Sequence, residues 1–301
     1  MTTTLPAPTQ PPSAPTRQPA PPPAQERLGV ARDGFAVLAL VALWFVAQLV
    51  FLGGLSENRA QDVLYTHLRS ELAAATAPTG GAIKPGRPVA LLTIPRLGLR
   101  EVVVEGTGSG DLLAGPGHRR DTPLPGQLGV SLVYGRALSY GAPFGHVTEL
   151  RAGDLVEART QQGPSRFRVD GVRRAGDPLP GTLAADGARL TLVTAEGGGP
   201  LAALSPRDVV YVDATLLGKA FVPAAGRPAA VPEAERAMAR DQSALPLLVL
   251  CLAALVAVAA GVVVARSRYP ASLVWLVTTP VLLALAWVTT DVAVRLLPNL
   301  V

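Results

Sequence analysis

The sequence is poor in residues that do chemistry. Its one cysteine is Cys251, and its histidines are His67, His118 and His146. A single thiol excludes an internal disulfide framework, a cysteine-based zinc site and any thiol nucleophile other than itself. The three histidines stand far apart without a ligand partner at useful spacing, so no metal and no other cofactor is expected. Cys251 lies in a long apolar run, where it reads as a small hydrophobe. Ser131, Ser139 and Ser205 lack an identifiable base. Gly197 to Gly199 imitate a phosphate-cradling loop, but no strand-to-helix context and no Lys follow, which leaves a flexible loop. Gln48 is a polar residue inside an apolar run and has the chemistry to tie helices together, while Asp291 and Arg295 are spaced for an i, i+4 ion pair.

The elements that position these groups follow from composition. With 49% hydrophobic and 16% charged residues among 301, the chain is too apolar for a soluble protein of its size. Three stretches lack charge for about the 20 residues that cross a bilayer: 34–56, 242–265 and 269–290. The first has an apolar core longer than that of a signal peptide and no clean cleavage site, so it reads as an uncleaved anchor. Before it, residues 1–33 form a proline-rich disordered tail, with nine prolines in the first 30 positions. Arg17, Arg27 and Arg32 precede the first span, and Arg266 and Arg268 fall in the turn at 266–268. The positive-inside rule makes both segments cytoplasmic, which puts residues 57–241 and the end of the chain, 291–301, outside. The expected location is therefore the plasma membrane, multi-pass, with the N-terminus inside. The net charge of +5 is modest and scattered, which gives no nucleic-acid footprint.

Between the spans, residues 57–86 open with a helical pattern, Leu64, Leu68, Leu72, and are expected to be a stalk. Residues 87–216 change texture to short β-branched runs punctuated by Gly and Pro: Val89–Ile94, Glu101–Val104, Val130–Tyr134, Leu155–Arg159, Phe167–Val172, Leu190–Thr194 and Val209–Val212. That spacing predicts an all-β domain, with helical turns only near Asp111–Leu113 and Phe144–Leu150. Residues 217–241 read as a linker and a short charged helix leading into the second span.

Read with their turns, these strands carry motifs in a fixed order: Ile94-Pro95-Arg96-Leu97-Gly98-Leu99, Val104-Glu105-Gly106-Thr107, Gly115-Pro116-Gly117-His118, Tyr140-Gly141-Ala142-Pro143-Phe144, Leu190-Thr191-Leu192-Val193-Thr194, and Arg207 before Val209-Val210. The set resembles the sortase family, particularly the actinobacterial sortases of the class E type. The resemblance implies a closed β-barrel of about eight strands as the ectodomain, beside the three transmembrane helices. It also implies transpeptidase chemistry, in which a thiolate attacks a Thr–Gly bond, a histidine handles protons and an arginine supports the substrate. At the family's cysteine position this sequence has Ala195, at its histidine position Arg136, and at its arginine position Arg207. A methyl group cannot attack a carbonyl, and a guanidinium stays protonated and cannot act as a base. Thr194, the neighbour of Ala195, should point to the opposite face of the strand, and His118 falls in the Gly-Pro-Gly-His turn, where a structural hydrogen bond is expected.

The resulting expectation is a sortase-family protein that is not an enzyme and works by binding, with no catalytic residues and with Arg136 and Arg207 as substrate-binding residues. The partners expected are the membrane, a sorting-signal peptide or protein, an active sortase or another membrane protein, and no nucleic acid. Two other readings stay open: an active divergent sortase, and an ectodomain-bearing subunit of a membrane complex.

Overall fold

The structure is a computed structural model that describes residues 39, 41, 43–197 and 208–301. The proline-rich tail, the arginines before the first span, Ser205 and Arg207 lie outside the described residues. The chain divides into two compact units, Met1–Trp44 and Phe45–Val301. Of the first unit, the four described residues are helical. All that follows concerns the second.

Eight strands close into a barrel: β1 (Pro88–Ile94), β2 (Leu99–Glu105), β3 (Gly117–His118), β4 (Gly129–Tyr134), β5 (Leu155–Thr160), β6 (Gly163–Arg173), β7 (Ala188–Glu196) and β8 (Asp208–Leu217). Their order around the wall is β1-β2-β3-β4-β7-β8-β6-β5. Closure removes the free edges that an eight-stranded sheet would otherwise expose. β2 with β3 and β4 with β7 run parallel, and the other neighbours are antiparallel. Each barrel strand alternates its side chains, so Leu190 and Leu192 of β7 enter the interior with Leu92, Val133, Phe167 and Val212, while Val193 and Ala195 join a second apolar cluster with Leu112 and Tyr134. Helical turns form at Asp111–Leu113 and Val147–Glu149, within the two stretches the sequence singles out.

The expected stalk is instead part of the domain. Helix α1 (Gly53–Ala73) lays Leu64, Leu68 and Leu72 on Leu91 and Val102 of the barrel wall. Gln61 holds it there: its Oε1 accepts from the Val102 amide at 2.7 Å, and its Nε2 donates to the Val102 and Ala114 carbonyls at 3.1 and 2.7 Å. The helical leucine spacing is thus a docking face, because a stripe of that width buried against a sheet is more stable than one left in water.

Three membrane helices were expected, and among the described residues two are long and apolar enough to cross: Gln242–Arg266, 25 residues, and Ser272–Val294, 23 residues. They correspond to α2 (Leu245–Arg266) with its preceding turn and to α3 (Ala271–Val294). The expected first span begins on residues outside the described set. Its described part in this unit, residues 45–56, is helical, includes a π-type turn at Gln48–Leu52, and runs directly into Glu57 and Arg59.

The 217–241 segment is not a free linker with a helix. Phe221 pairs with the Gly126–Leu128 backbone, Arg227 reaches into the barrel rim, and only Glu233–Glu235 makes a helical turn. The Thr107 hydroxyl donates to the Glu235 carbonyl at 2.6 Å, and Arg120 pairs with the Glu235 carboxylate, so this segment is fixed by tertiary bonds that local propensity does not contain.

Candidate functional site

β4 ends at Tyr134, and the next two residues set the site. The Gly135 amide donates to the Val193 carbonyl at 3.0 Å, which extends the β4–β7 pairing by one residue. A Cβ at Gly135 would lie 2.3 Å from Cγ of Phe144, so only glycine lets that ring close over the barrel end. Phe144 in turn donates its amide to the Arg136 carbonyl at 3.0 Å, fixing the backbone from which the guanidinium springs.

Arg136 is completely buried. Its Nη1 donates to the Val301 backbone oxygen at 2.6 Å and to Ser139 Oγ at 3.1 Å, and its Nη2 donates to the Ser109 carbonyl and hydroxyl, both at 2.9 Å. Tyr140 places its ring 5.7 Å from the guanidinium carbon. Burial pushes the guanidinium down to about 10, still high enough to keep it charged at neutral pH. Its Nε is left without a partner. This is a buried cation that holds peptide oxygens, not a solvated groove residue.

Ala195 lies on the outward face of β7, paired with Val209 of β8. It packs in the cluster of Leu112, Tyr134, Val193 and Leu300, with Leu132, Ala137, Val209 and Tyr211 around it. Thr194 faces the other way, and its hydroxyl donates to the Gly135 and Phe144 carbonyls at 3.2 and 3.4 Å. Ala195 and Arg136 are therefore brought to one place through Leu300 and Val301. Arg207 falls outside the described residues.

The remaining chemical residues sort by their partners. His118 is buried with Nδ1 3.0 Å from Glu105 Oε2 and Nε2 2.9 Å from the Pro123 carbonyl, and Arg227 reaches Glu105 Oε1 at 2.6 Å. That is a closed structural network at the barrel rim. His146 is exposed beside Glu149, and His67 beside Glu71. Cys251 is buried in α2 against Ala244, Leu248, Val292 and Leu296. Ser131 is buried without a partner for its hydroxyl. Asp291 does not pair with Arg295 but accepts from Tyr140 Oη and, at 3.3 Å, from Gln48 Nε2. The i, i+4 contact loses because a tyrosine hydroxyl and a carboxamide from other elements satisfy the same carboxylate where α3 meets the barrel, and Gln48 ties helices as its polarity suggests.

A second feature lies between α1 and the Gly141–Pro143 turn: a cleft of about 400 Å³ lined by Glu57, Gln61, Glu101 and His146. Glu57 is pushed up to about 8 by burial and then by the nearby Glu101 charge, and Glu101 is pushed up to about 7 by burial.

Sequence reasoning misses Ser109, Asn299, Leu300 and Val301. The one signal for the last three is Pro298, which stops the helix and leaves an apolar pair beyond it that the span itself does not absorb.

Residues 92–214 match the sortase domain family. Sortase E from Streptomyces avermitilis is 31% identical over 51% of this chain and 100% of its own, with a TM-score of 0.36. The SrtF sortase from Corynebacterium diphtheriae is 25% identical, covering 52% of this chain and 97% of its own, with a TM-score of 0.39. A sortase D5 transpeptidase from Clostridium perfringens is 20% identical, covering 54% and 99%, with a TM-score of 0.42. No curated protein matches significantly. The closed eight-stranded barrel and the matched domain define the class, a sortase-type barrel protein. The chain belongs to the sortase family.

That membership corrects the expectation of a protein that is not an enzyme. The matched domain, residues 92–214, is that of an enzyme family.

Proposed function

We propose that this protein is a membrane-anchored member of the sortase family whose barrel engages a peptide segment outside the cytoplasm, at the membrane surface. A sorting-signal peptide, the exposed segment of a cell-surface protein, an active sortase or another membrane protein are the partners this reading allows. The observation that carries it is Arg136: a fully buried guanidinium that donates to backbone oxygens beside the outward face of β7. Charge-assisted donors of this kind grip a peptide backbone without regard to side chain. The neighbouring apolar cluster around Ala195 supplies the side-chain pocket. Ala195 and Arg136, with Arg207, are the proposed positions at which the peptide is met.

The cleaving or transferring reaction of the family is the second reading, and the family match favours it. Full-length protein in nanodiscs, incubated with sorting-signal peptides, tests both. Saturable binding that weakens in Arg136→Ala supports the peptide reading, and cleaved or transferred product above a protein-free control supports the reaction. Absence of any saturable binding overturns the proposal.

A further inference from the structure

After α3 ends at Val294, the chain does not leave the protein. Residues 298–301 turn back against Arg136 and the apolar cluster that holds Ala195, with the Val301 amide donating to the Pro298 carbonyl at 3.1 Å. Asn299 and Leu300 are both fully buried. The Asn299 amide donates to the Ala239 carbonyl at 2.9 Å, and its Nδ2 donates to the Thr107 and Arg236 carbonyls at 2.7 and 2.9 Å. The Leu300 carbonyl accepts from the Ala137 amide at 2.9 Å, and the Val301 oxygen accepts from both Arg136 and Ser139 at 2.6 Å. Meanwhile the Leu300 side chain packs against Leu112, Tyr134, Val193 and Ala195.

These contacts have the character of a bound ligand. One branched aliphatic side chain fills one apolar pocket, a carboxamide is read by carbonyls on one side, and the backbone is held by a strand-end amide and a buried guanidinium on the other. A helix that only needed an end would not bury Asn299 and Leu300, five and six residues past its last residue, beside a buried cation.

We propose that residues 298–301 are an intramolecular ligand of the barrel cleft, closing it in cis, and that the cleft's ligand in trans is a peptide with a branched aliphatic residue preceded by a carboxamide residue. This rests on the peptide reading given above and adds to it the ligand chemistry and the mode of control. The segment competes with any incoming peptide, so apparent affinity scales with the fraction of molecules in which it has withdrawn. It is carried on the end of a membrane helix, which makes movement of α3 the natural trigger.

The test reports on the pocket without requiring a known partner. In full-length protein in nanodiscs carrying Cys251→Ser, Ala195→Cys places the only thiol under Leu300. Labelling by a maleimide is slow in that parent, and Leu300→Asp speeds it about tenfold or more if the segment is the cover. Asn299→Ala and Leu300→Ala give smaller increases in the same order, and a thermal unfolding curve confirms that each variant is folded. Free hexapeptide Leu-Leu-Pro-Asn-Leu-Val, a copy of residues 296–301, slows labelling of the Leu300→Asp protein and leaves the parent unchanged. Equal labelling rates in folded parent and folded Leu300→Asp protein overturn the inference, as does failure of the hexapeptide to protect. If the hexapeptide protects and no sorting-signal peptide binds, the closure stands and the wider peptide reading fails. If sorting-signal peptides bind the unaltered protein and labelling is insensitive to Leu300→Asp, the reverse holds.

Discussion

At the scale of single residues, what governs this protein is how buried charges are partnered. Arg136 spends its donors on the Ser109 and Val301 oxygens and on two hydroxyls, and removing it takes from the buried Ser109 carbonyl its charged donor and leaves the Val301 oxygen to Ser139 alone. Arg136→Leu is expected to lower stability by about 3 kcal/mol, measured by denaturant unfolding in detergent, because breaking a buried charged contact costs more than making it gains. Beside Arg136, three carboxyls are pushed up from the ordinary carboxylate range. Glu57 sits at about 8, Glu101 at about 7 and Asp111 at about 6, each raised mainly by burial. Above the ordinary carboxylate value of the unfolded chain, near 4.5 for Glu, the fold binds more protons than the unfolded state. The stability they contribute is complete below that value and is lost as pH rises through each folded value. Thermal unfolding between pH 4.5 and pH 8 should therefore show stability falling with pH, and Glu57→Gln should flatten the upper part of that slope. A stability profile that rises across the window would refute the assignment.

At the scale of elements, α1 is the piece whose role changes between sequence and structure. Its leucine stripe is legible at i, i+4 spacing, but the face it buries against is not, since Leu91 and Val102 are brought together only by the β1–β2 pairing. Leu68 is 1% exposed, so Leu68→Ala should cost roughly 3 kcal/mol, through lost burial and the cavity left behind. Leu68→Ala should also raise proteolysis between residues 74 and 87, where the helix is tethered to the barrel. If α1 were a free stalk, neither stability nor cleavage would change.

At the scale of the whole molecule, the two apolar helices form a hairpin, and the outer end of α3 meets the barrel through Asp291 and Tyr140. The Asp241 amide donates to the Arg295 carbonyl at 3.0 Å, which joins the start of one helix to the end of the other. Arg266 and Arg268 lie at the far turn. The positive-inside rule then favours the barrel on the outer side. Reporter fusions at Ser267 are expected to read cytoplasm, and fusions at Asp170 to read the outside. A cytoplasmic signal at Asp170 would reverse the orientation.

The sequence by itself determined what is local or additive. Alternation of apolar residues placed the strands, charge-free runs of sufficient length marked α2 and α3, and the ordered motifs carried the family. Each of these is a property of neighbours along the chain. What only the tertiary structure decided is where distant segments meet. Arg136 reads from the sequence as a residue that meets substrate, yet it is buried because Ser109 and Val301, 27 and 165 positions away, converge on it. Asp291 has a natural partner one turn away in Arg295 but bonds Tyr140, 151 positions distant. Leu300 follows a helix-ending proline with no pattern of its own, and its burial follows from barrel closure, which sets Tyr134, Val193 and Ala195 side by side as a pocket. A side chain's partner is chosen by the free energy of the whole packed arrangement, and that sum is not written at any one position in the chain.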